Sequence, residues 1–452
     1  MRLRTTIMLG VVAIISVALA WRLYERGPTA SASGTRLLLA ADALPIEGVR
    51  RIRIAKPPLA PMIIERRGSA WIETQPFEIP VNPFEIRETI LAARQLRSTR
   101  RIELNELLGE SSGERTSGGL EALSLRPPLA SITFTMDDGR ETTIRLGRLG
   151  VAGRAFVQVG DDQAVFVVGQ ELHERLLGDG LRSWRERTLF PEASIEVAEI
   201  EVRTGETRTT LSRRGRAWRL ESPVETRADA SAVMALLQSL ARAEADGFVA
   251  EAPEDLRSFG LHAPPASISL RWRVPGEPEP RSRTLLIGGA VVTGGADRYA
   301  MIDGRPLVMR VSGSTLGSIF VAPPSVIEPT AAAGRPEDVR EIRIVGPRDE
   351  VHLRRTPRGL FDEAGAASQR RADELLDTLF TTRASAISMQ AYPETIHVAT
   401  ATLIGFDDAP MAVVRIAIDP NAGQWATEAG DGVLRIHPIS ALPALIADQL
   451  AP

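Results

Sequence analysis

One short pattern returns three times along this chain, and it constrains the fold more than any other feature. Val49-Arg-Arg-Ile52-Arg-Ile54 reappears as Val197-Ala-Glu-Ile200-Glu-Val202 and as Val339-Arg-Glu-Ile342-Arg-Ile344. Charges interleave with β-branched residues at period two, which describes a strand with one wet face. The starts lie about 148 and about 142 residues apart, so the repeating unit is long enough to hold a core of its own. A hairpin follows each strand. Glu65-Arg-Arg-Gly68-Ser-Ala-Trp71 matches Ser212-Arg-Arg-Gly215-Arg-Ala-Trp218, and the third copy reads Arg354-Arg-Thr-Pro-Arg-Gly359-Leu360-Phe361. Glycine supplies the turn, and the large residue is expected to plug the core of its unit.

An amphipathic helix comes next in every copy. Asn82-Pro83-Phe84-Glu85 places a cap, a proline at the first helical position and a glutamate at the third, and Ile86, Ile90 and Ala93 continue as an apolar stripe. Val233, Leu236, Leu237 and Leu240 follow the cap residue Asp229, and Leu375, Leu376, Leu379 and Phe380 form the third stripe. Four strands and a short helix close each unit. The third of these strands opens on Phe156, Tyr299 and Trp425, each followed by a glycine-and-aspartate turn. The expected fold class is α+β. It comprises an N-terminal transmembrane helix and three tandem repeats, each a mostly antiparallel sheet with one longer and one short helix. The expected boundaries are 1–26 for an anchor or signal segment, 27–44 for a tether, and 45–192, 193–330 and 331–452 for the repeats, the last divergent.

The anchor is read from Thr5 to Trp21, which carries no charge. Ile7, Leu9, Val12, Ile15 and Leu19 are its apolar body, Arg2 and Arg4 precede it, and Trp21 sits at the far edge. Leading arginines favour a cytoplasmic N-terminus and an extracytoplasmic bulk, periplasmic or extracellular. The alternative is a cleaved signal peptide, because Ala18-Leu19-Ala20 suits a small-x-small cleavage site. Either reading carries the remainder across a membrane.

Composition removes several chemistries. The chain has no cysteine, so thiolate nucleophiles, disulfides and cysteine-ligated metals are excluded, and Lys56 is its only lysine, which removes a P-loop or Schiff-base lysine everywhere else. A net charge of -3 gives no electrostatic reason to expect nucleic acid as a partner. His173, His262, His352, His397 and His437 are scattered and build no metal-binding helix motif; each is expected on the surface or hydrogen-bonded. Asp137-Asp138, Asp161-Asp162 and Asp407-Asp408 fall between strands and are read as turns. Gly313-Ser314-Thr315-Leu316-Gly317 has threonine where a nucleophile elbow needs serine, and Ser314 is read as a helix cap. Gly147-Arg-Leu-Gly150-Val-Ala-Gly153 has the spacing of neither phosphate loop. Arg97-Ser-Thr-Arg100-Arg101 is read as a basic end to the first helix. No catalytic, cofactor-binding or metal residue is assigned, and no cofactor is expected.

One further motif carries a resemblance. Leu256-Arg-Ser-Phe259-Gly260-Leu261-His262-Ala263-Pro264-Pro265 parallels Leu120-Glu-Ala-Leu123-Ser124-Leu125-Arg126-Pro127-Pro128, with Ser124 where glycine is usual. With the apolar N-terminus, the Gly-x-x-Trp hairpin and the amphipathic helix, this pattern resembles the bacterial family of domain of unknown function 4340 (DUF4340). The resemblance implies an uncharacterised membrane-anchored envelope protein, associated with gliding-motility-type ABC transport systems, and brings no catalytic residue with it. The expected role is therefore a membrane-tethered extracytoplasmic binding or scaffold protein and not an enzyme, with ABC transporter subunits or other envelope proteins as partners. The alternatives are an extracytoplasmic hydrolase acting on envelope polymer, and a glycan- or peptide-binding module using Trp184, Trp272 or Trp425.

Overall fold

The computed structural model describes residues 36–40, 43–104, 106, 116–178, 184–347, 349–356, 361, 366–390, 396–419 and 422–448. Two compact units divide between Glu186 and Arg187. The fold is α+β with antiparallel sheets. The first unit holds a nine-stranded sheet, and in spatial order its strands are Ile79–Val81, Ala70–Gln75, Met62–Arg67, Val49–Ala55, Ala130–Met136, Glu141–Leu149, Arg154–Val159, Val165–Gly169 and Arg100–Ile102. The second unit holds two sheets. One repeats that order strand for strand: Thr226–Arg227, Ala217–Ser222, Thr207–Arg214, Val197–Thr204, Ala266–Trp272, Arg281–Ala290, Arg298–Ile302, Leu307–Val311 and Gly247–Glu251. The other keeps seven described strands in the same order: Glu350–Arg354, Val339–Val345, Ile396–Gly405, Pro410–Asp419, Gln424–Glu428, Leu434–Pro438 and Ala386–Ser388.

The opening strands do not alternate strictly, and the departure is the same in each. Register shifts between Val49 and Arg51, between Val197 and Glu199, and between Val339 and Glu341. The residue between them is a β-bulge, which explains why two residues, rather than one, separate the first buried apolar position from the next in the opening pattern. Val49, Ile52 and Ile54 are buried and Arg50, Arg51 and Arg53 are exposed.

A helix covers the apolar face of each sheet. Pro83–Arg94 buries Ile86, Thr89, Ile90 and Ala93, and its N-cap Asn82 accepts a hydrogen bond from Phe84 N at 3.0 Å. Ala230–Arg242 buries Val233, Leu236, Leu237 and Leu240 behind Asp229, which accepts from Ser231 N and Ala232 N. Ala366–Phe380 buries Leu375, Leu376, Leu379 and Phe380. Trp71, Trp218 and Phe361 close the respective cores. The leucine motif forms a backbone clip in the first two sheets. Leu125 N donates to Leu120 O at 2.8 Å and Leu261 N to Leu256 O at 3.0 Å. The clip needs a residue at positive φ, filled by Ser124 (54°) and Gly260 (66°). It also needs glycine on the strand beneath, because a Cβ on Gly147 would meet Leu123 O at 2.4 Å and one on Gly288 would meet Phe259 O at 2.2 Å.

The membrane expectation is corrected. No helix among the described residues is long and apolar enough to cross a membrane. The anchor expected over residues 1–26, with Ile7, Leu9, Val12, Ile15, Leu19 and Trp21, lies outside the described residues. Single-pass topology, membrane attachment as a partnership, and an extracytoplasmic location therefore have no structural support. The tethered, transport-accessory role built on them falls as well, since a tether was its premise. The basic run is also corrected: the first helix ends at Arg94, and Arg97–Ser98 and Arg100–Ile102 are strands.

Candidate functional site: the polar face of the first sheet

The strand pattern that buries one face leaves the other open and polar. Cross-strand register on the open face of the first sheet aligns Ile63, Arg53, Thr133 and Thr143 in one row. The next row aligns Ser131, Arg145 and Gln158. A depression of about 400 Å3 runs over these rows, lined by Arg51, Arg53, Ser131, Thr133, Thr143 and Arg145 among others. Its floor is hydroxyl-rich, with Thr133 and Thr143 hydrogen-bonded to each other at 2.9 Å. Arg51 Nε donates to Glu65 at 2.8 Å, and Thr135 donates to Glu141 at 3.0 Å. Arg145 donates to the neutral Gly160 carbonyl at 2.7 Å. Among the described residues the Arg53 side chain makes no hydrogen bond and no ion pair, so its five donors are open to a ligand.

The second sheet keeps the hydroxyl floor and changes the charges. Ser269 and Thr284 hydrogen-bond at 2.8 Å, where Thr133 and Thr143 do so in the first. Glu199 and Glu201 occupy the places of Arg51 and Arg53 and pair with Arg271 and Arg208 at 3.2 and 3.5 Å. That face satisfies itself.

The residues singled out from sequence do not converge. Asp138, Asp162 and Asp407 accept from the backbone N–H two residues on, in Arg140, Ala164 and Ala409, so the acid pairs are turn devices. Among the described residues no group of three or more His, Asp and Glu could hold a metal ion. The cap of Gly313–Ile319 is Ser312, which accepts from Thr315 N, and not Ser314. Trp184 and Trp425 are buried, which removes them from any glycan-stacking role, and Trp272 is half-buried against the core. His352 is half-exposed and bonds Glu341 at 2.6 Å. His173 is buried with Nε2 on the Gly147 carbonyl at 3.0 Å, and burial holds its pKa below the ordinary value. His437 overturns the expectation of a surface or satisfied ring. It is 1% exposed, neither nitrogen has a partner, and it stacks on Trp425 with centroids 4.5 Å apart. Burial, reinforced by the Arg435 charge, pushes it down to about 4.

Two buried ion pairs escaped the sequence reading. In the first unit Arg185 holds Glu73 through two bonds of 2.8 Å, both residues almost fully buried. In the second unit Arg435, wholly buried, joins the two sheets. It donates to Asp431 at 2.8 Å and to the Glu328 carbonyl at 2.9 Å, and Thr226 donates to the same Asp431 carboxylate. Burial pushes the Asp431 carboxyl up, and the bonds from Arg435 and Thr226 more than offset it, leaving it below the usual range. Every charged group in these two clusters has a partner in the protein, so they act as structural staples.

The family model described as "Domain of unknown function (DUF4340)" matches residues 71–217 and again 218–399. Both matches begin on a hairpin tryptophan, Trp71 and Trp218; the first ends just before Trp218, and the second runs past Phe361 to Ala399. No curated protein and no solved structure matches the chain. The two matches together take up well over half of the sequence, and the chain belongs to the DUF4340 family.

Proposed function

We propose that this chain is a non-catalytic binding module made of three copies of one sheet-and-helix unit, covering residues 45–192, 193–330 and 331–452. It would engage partners through the open sheet faces. The observation that carries this reading is the first sheet's polar face, a broad hydroxyl floor under the unpaired Arg53 guanidinium. A shallow, wide surface with a few open donors suits contact with another macromolecule better than enclosure of a small reactant. The strand order shared by the three sheets supports the same reading, because a repeated scaffold presents the same kind of surface more than once.

Photocrosslinking tests it. A benzophenone side chain is placed at Thr133 on the open face and, separately, at exposed Leu59 in the Ala55–Met62 connection, in the full chain in cells that make it. A discrete crosslinked partner from Thr133 and none from Leu59 is the expected result. Equal labelling from both positions, or turnover of a small substrate abolished by Arg53→Gln, would refute the reading.

A further inference from the structure

The third sheet contains a worked answer to what the first sheet's face binds. In the first sheet Arg53 faces Thr133 across one strand pair, and Ser131 faces Arg145 across the next. In the third sheet Arg343 faces Thr402 and Thr400 faces Arg415, the same square of two arginines and two hydroxyl residues. There the square is neutralised from within. Arg343 holds Glu341 at 2.7 Å and Arg415 holds Glu428 at 2.8 Å. Glu341 and Glu428 are nearly buried, with side chains 5% and 12% exposed, so these carboxylates are seated and not merely nearby.

Register identifies what the first sheet has in their places. Glu341 is the first residue after the bulge, where the first sheet has Arg51. Glu428 pairs with Arg415, where the first sheet pairs Gln158 with Arg145. Both neutralising carboxylates are thus gone, one replaced by an arginine and the other by an amide. Gln158 is turned to its own strand's turn, donating to Gln163 O at 3.2 Å. Arg51 is satisfied by Glu65, and Glu141 by Thr135, so neither acid is held by Arg53 or Arg145. The square keeps the two guanidiniums and lacks the two acids.

We infer that the first sheet's face binds carboxylate side chains of an acidic peptide segment from a partner, which sit over Arg53 and Arg145 as Glu341 and Glu428 sit on Arg343 and Arg415. This rests on the reading of the chain as a binding module and names the chemistry of the partner. Charge complementarity gives the contact, and the planar guanidinium fork matches a carboxylate through two parallel bonds. The Ser131, Thr133 and Thr143 hydroxyls can donate to the remaining carboxylate lone pairs. The second sheet, with Glu201 in place of Arg53 and Leu286 in place of Arg145, is expected to be indifferent to the same ligand.

The test uses the full chain and fluorescein-labelled decaglutamate, read by anisotropy. Wild type is expected to bind saturably. Arg53→Gln should weaken binding about tenfold or more, the loss of one charge-assisted contact. Gln158→Glu restores the internal acid of the third sheet and should weaken it comparably, while Arg216→Gln, at an exposed turn of the second unit, changes it by less than about twofold. Arg53 and Arg216 are exposed and Gln158 is buried, so a far-ultraviolet melt is run on each variant to confirm that it folds. Absence of saturable binding, equal loss in Arg216→Gln, or Gln158→Glu binding as tightly as wild type overturns the inference. Displacement by inorganic tripolyphosphate at lower concentration than by unlabelled decaglutamate also overturns it, since a phosphate site would then be present. If Thr133 crosslinks persist in cells while decaglutamate is ignored, the acidic-peptide assignment falls and the binding-module reading stands.

Discussion

Lowering the pH from 7.5 to 5 should destabilise the second unit through His437, by an amount the structure sets. The ring is buried, bonded to nothing, stacked on Trp425 and close enough to the Arg435 cation to feel its charge. An ordinary imidazole titrates near 6.5, and this one near 4. The folded state therefore keeps a neutral ring over a range in which the unfolded chain takes up a proton. Stability is intact above pH 6.5, is lost as pH falls between 6.5 and 4, and loses no more below 4 on account of this group. Linkage puts the full loss at about 3 kcal/mol and the part reached by pH 5 at about 2 kcal/mol. Asp431 and Glu341, held below the usual carboxylate range by Arg435 and by His352 with Arg343, contribute in the same direction but only at lower pH. The assay is urea denaturation followed by tryptophan fluorescence, in wild type and in His437→Phe, which keeps an aromatic ring against Trp425 and removes the titration. Wild type should lose about 2 kcal/mol more than the variant between pH 7.5 and 5. His173, in the other unit, titrates in both proteins alike and cancels. Parallel pH profiles in the two proteins would refute the reasoning, because they would mean the ring is solvated or paired.

Other consequences can be checked with the same melts. Glu73→Gln leaves the Arg185 guanidinium buried without its carboxylate and should cost about 3–5 kcal/mol, most of it recovered by adding Arg185→Met. Gly288→Ala forces a Cβ against Phe259 O at 2.2 Å and should cost about 1–3 kcal/mol, with a Tm drop that the same change at open Gly317 does not produce. Asp229→Ala removes the cap of Ala230–Arg242 and the ion pair with Arg383, and about 1–2 kcal/mol of stability in urea melts should go with them.

Much of the fold was legible because its signals are local. The three helix stripes, the Asn82 and Asp229 caps and the plugs Trp71, Trp218 and Phe361 are each specified within about ten residues of chain. The site was not legible, since it exists only once register is known. Arg53 and Thr133 are paired across some eighty residues of chain, and nothing near either names the other. His437 was misread for a different reason. In Val433-Leu434-Arg435-Ile436-His437 the polar residues face inward, while Leu434 and Ile436 are only half-buried, so the usual apolar-in phase is inverted. Arg435 explains the inversion: it is the bolt between two sheets, and the alternating backbone then turns His437 into the core behind it. The N-terminal apolar run suggested a membrane helix, and among the described residues no such helix exists.

The bulge shared by the opening strands has an evolutionary corollary. An extra residue in a strand is a phase marker: deleting Arg50 would leave Val49 or Ile52 on the wrong side of the sheet, and the same holds for Ala198 and Arg340. Single-residue slippage is thereby penalised at the point where each copy begins. A lineage can lengthen or shorten such a chain by whole units, or trim its loops, but it cannot edit these three strands by one codon without turning a layer inside out.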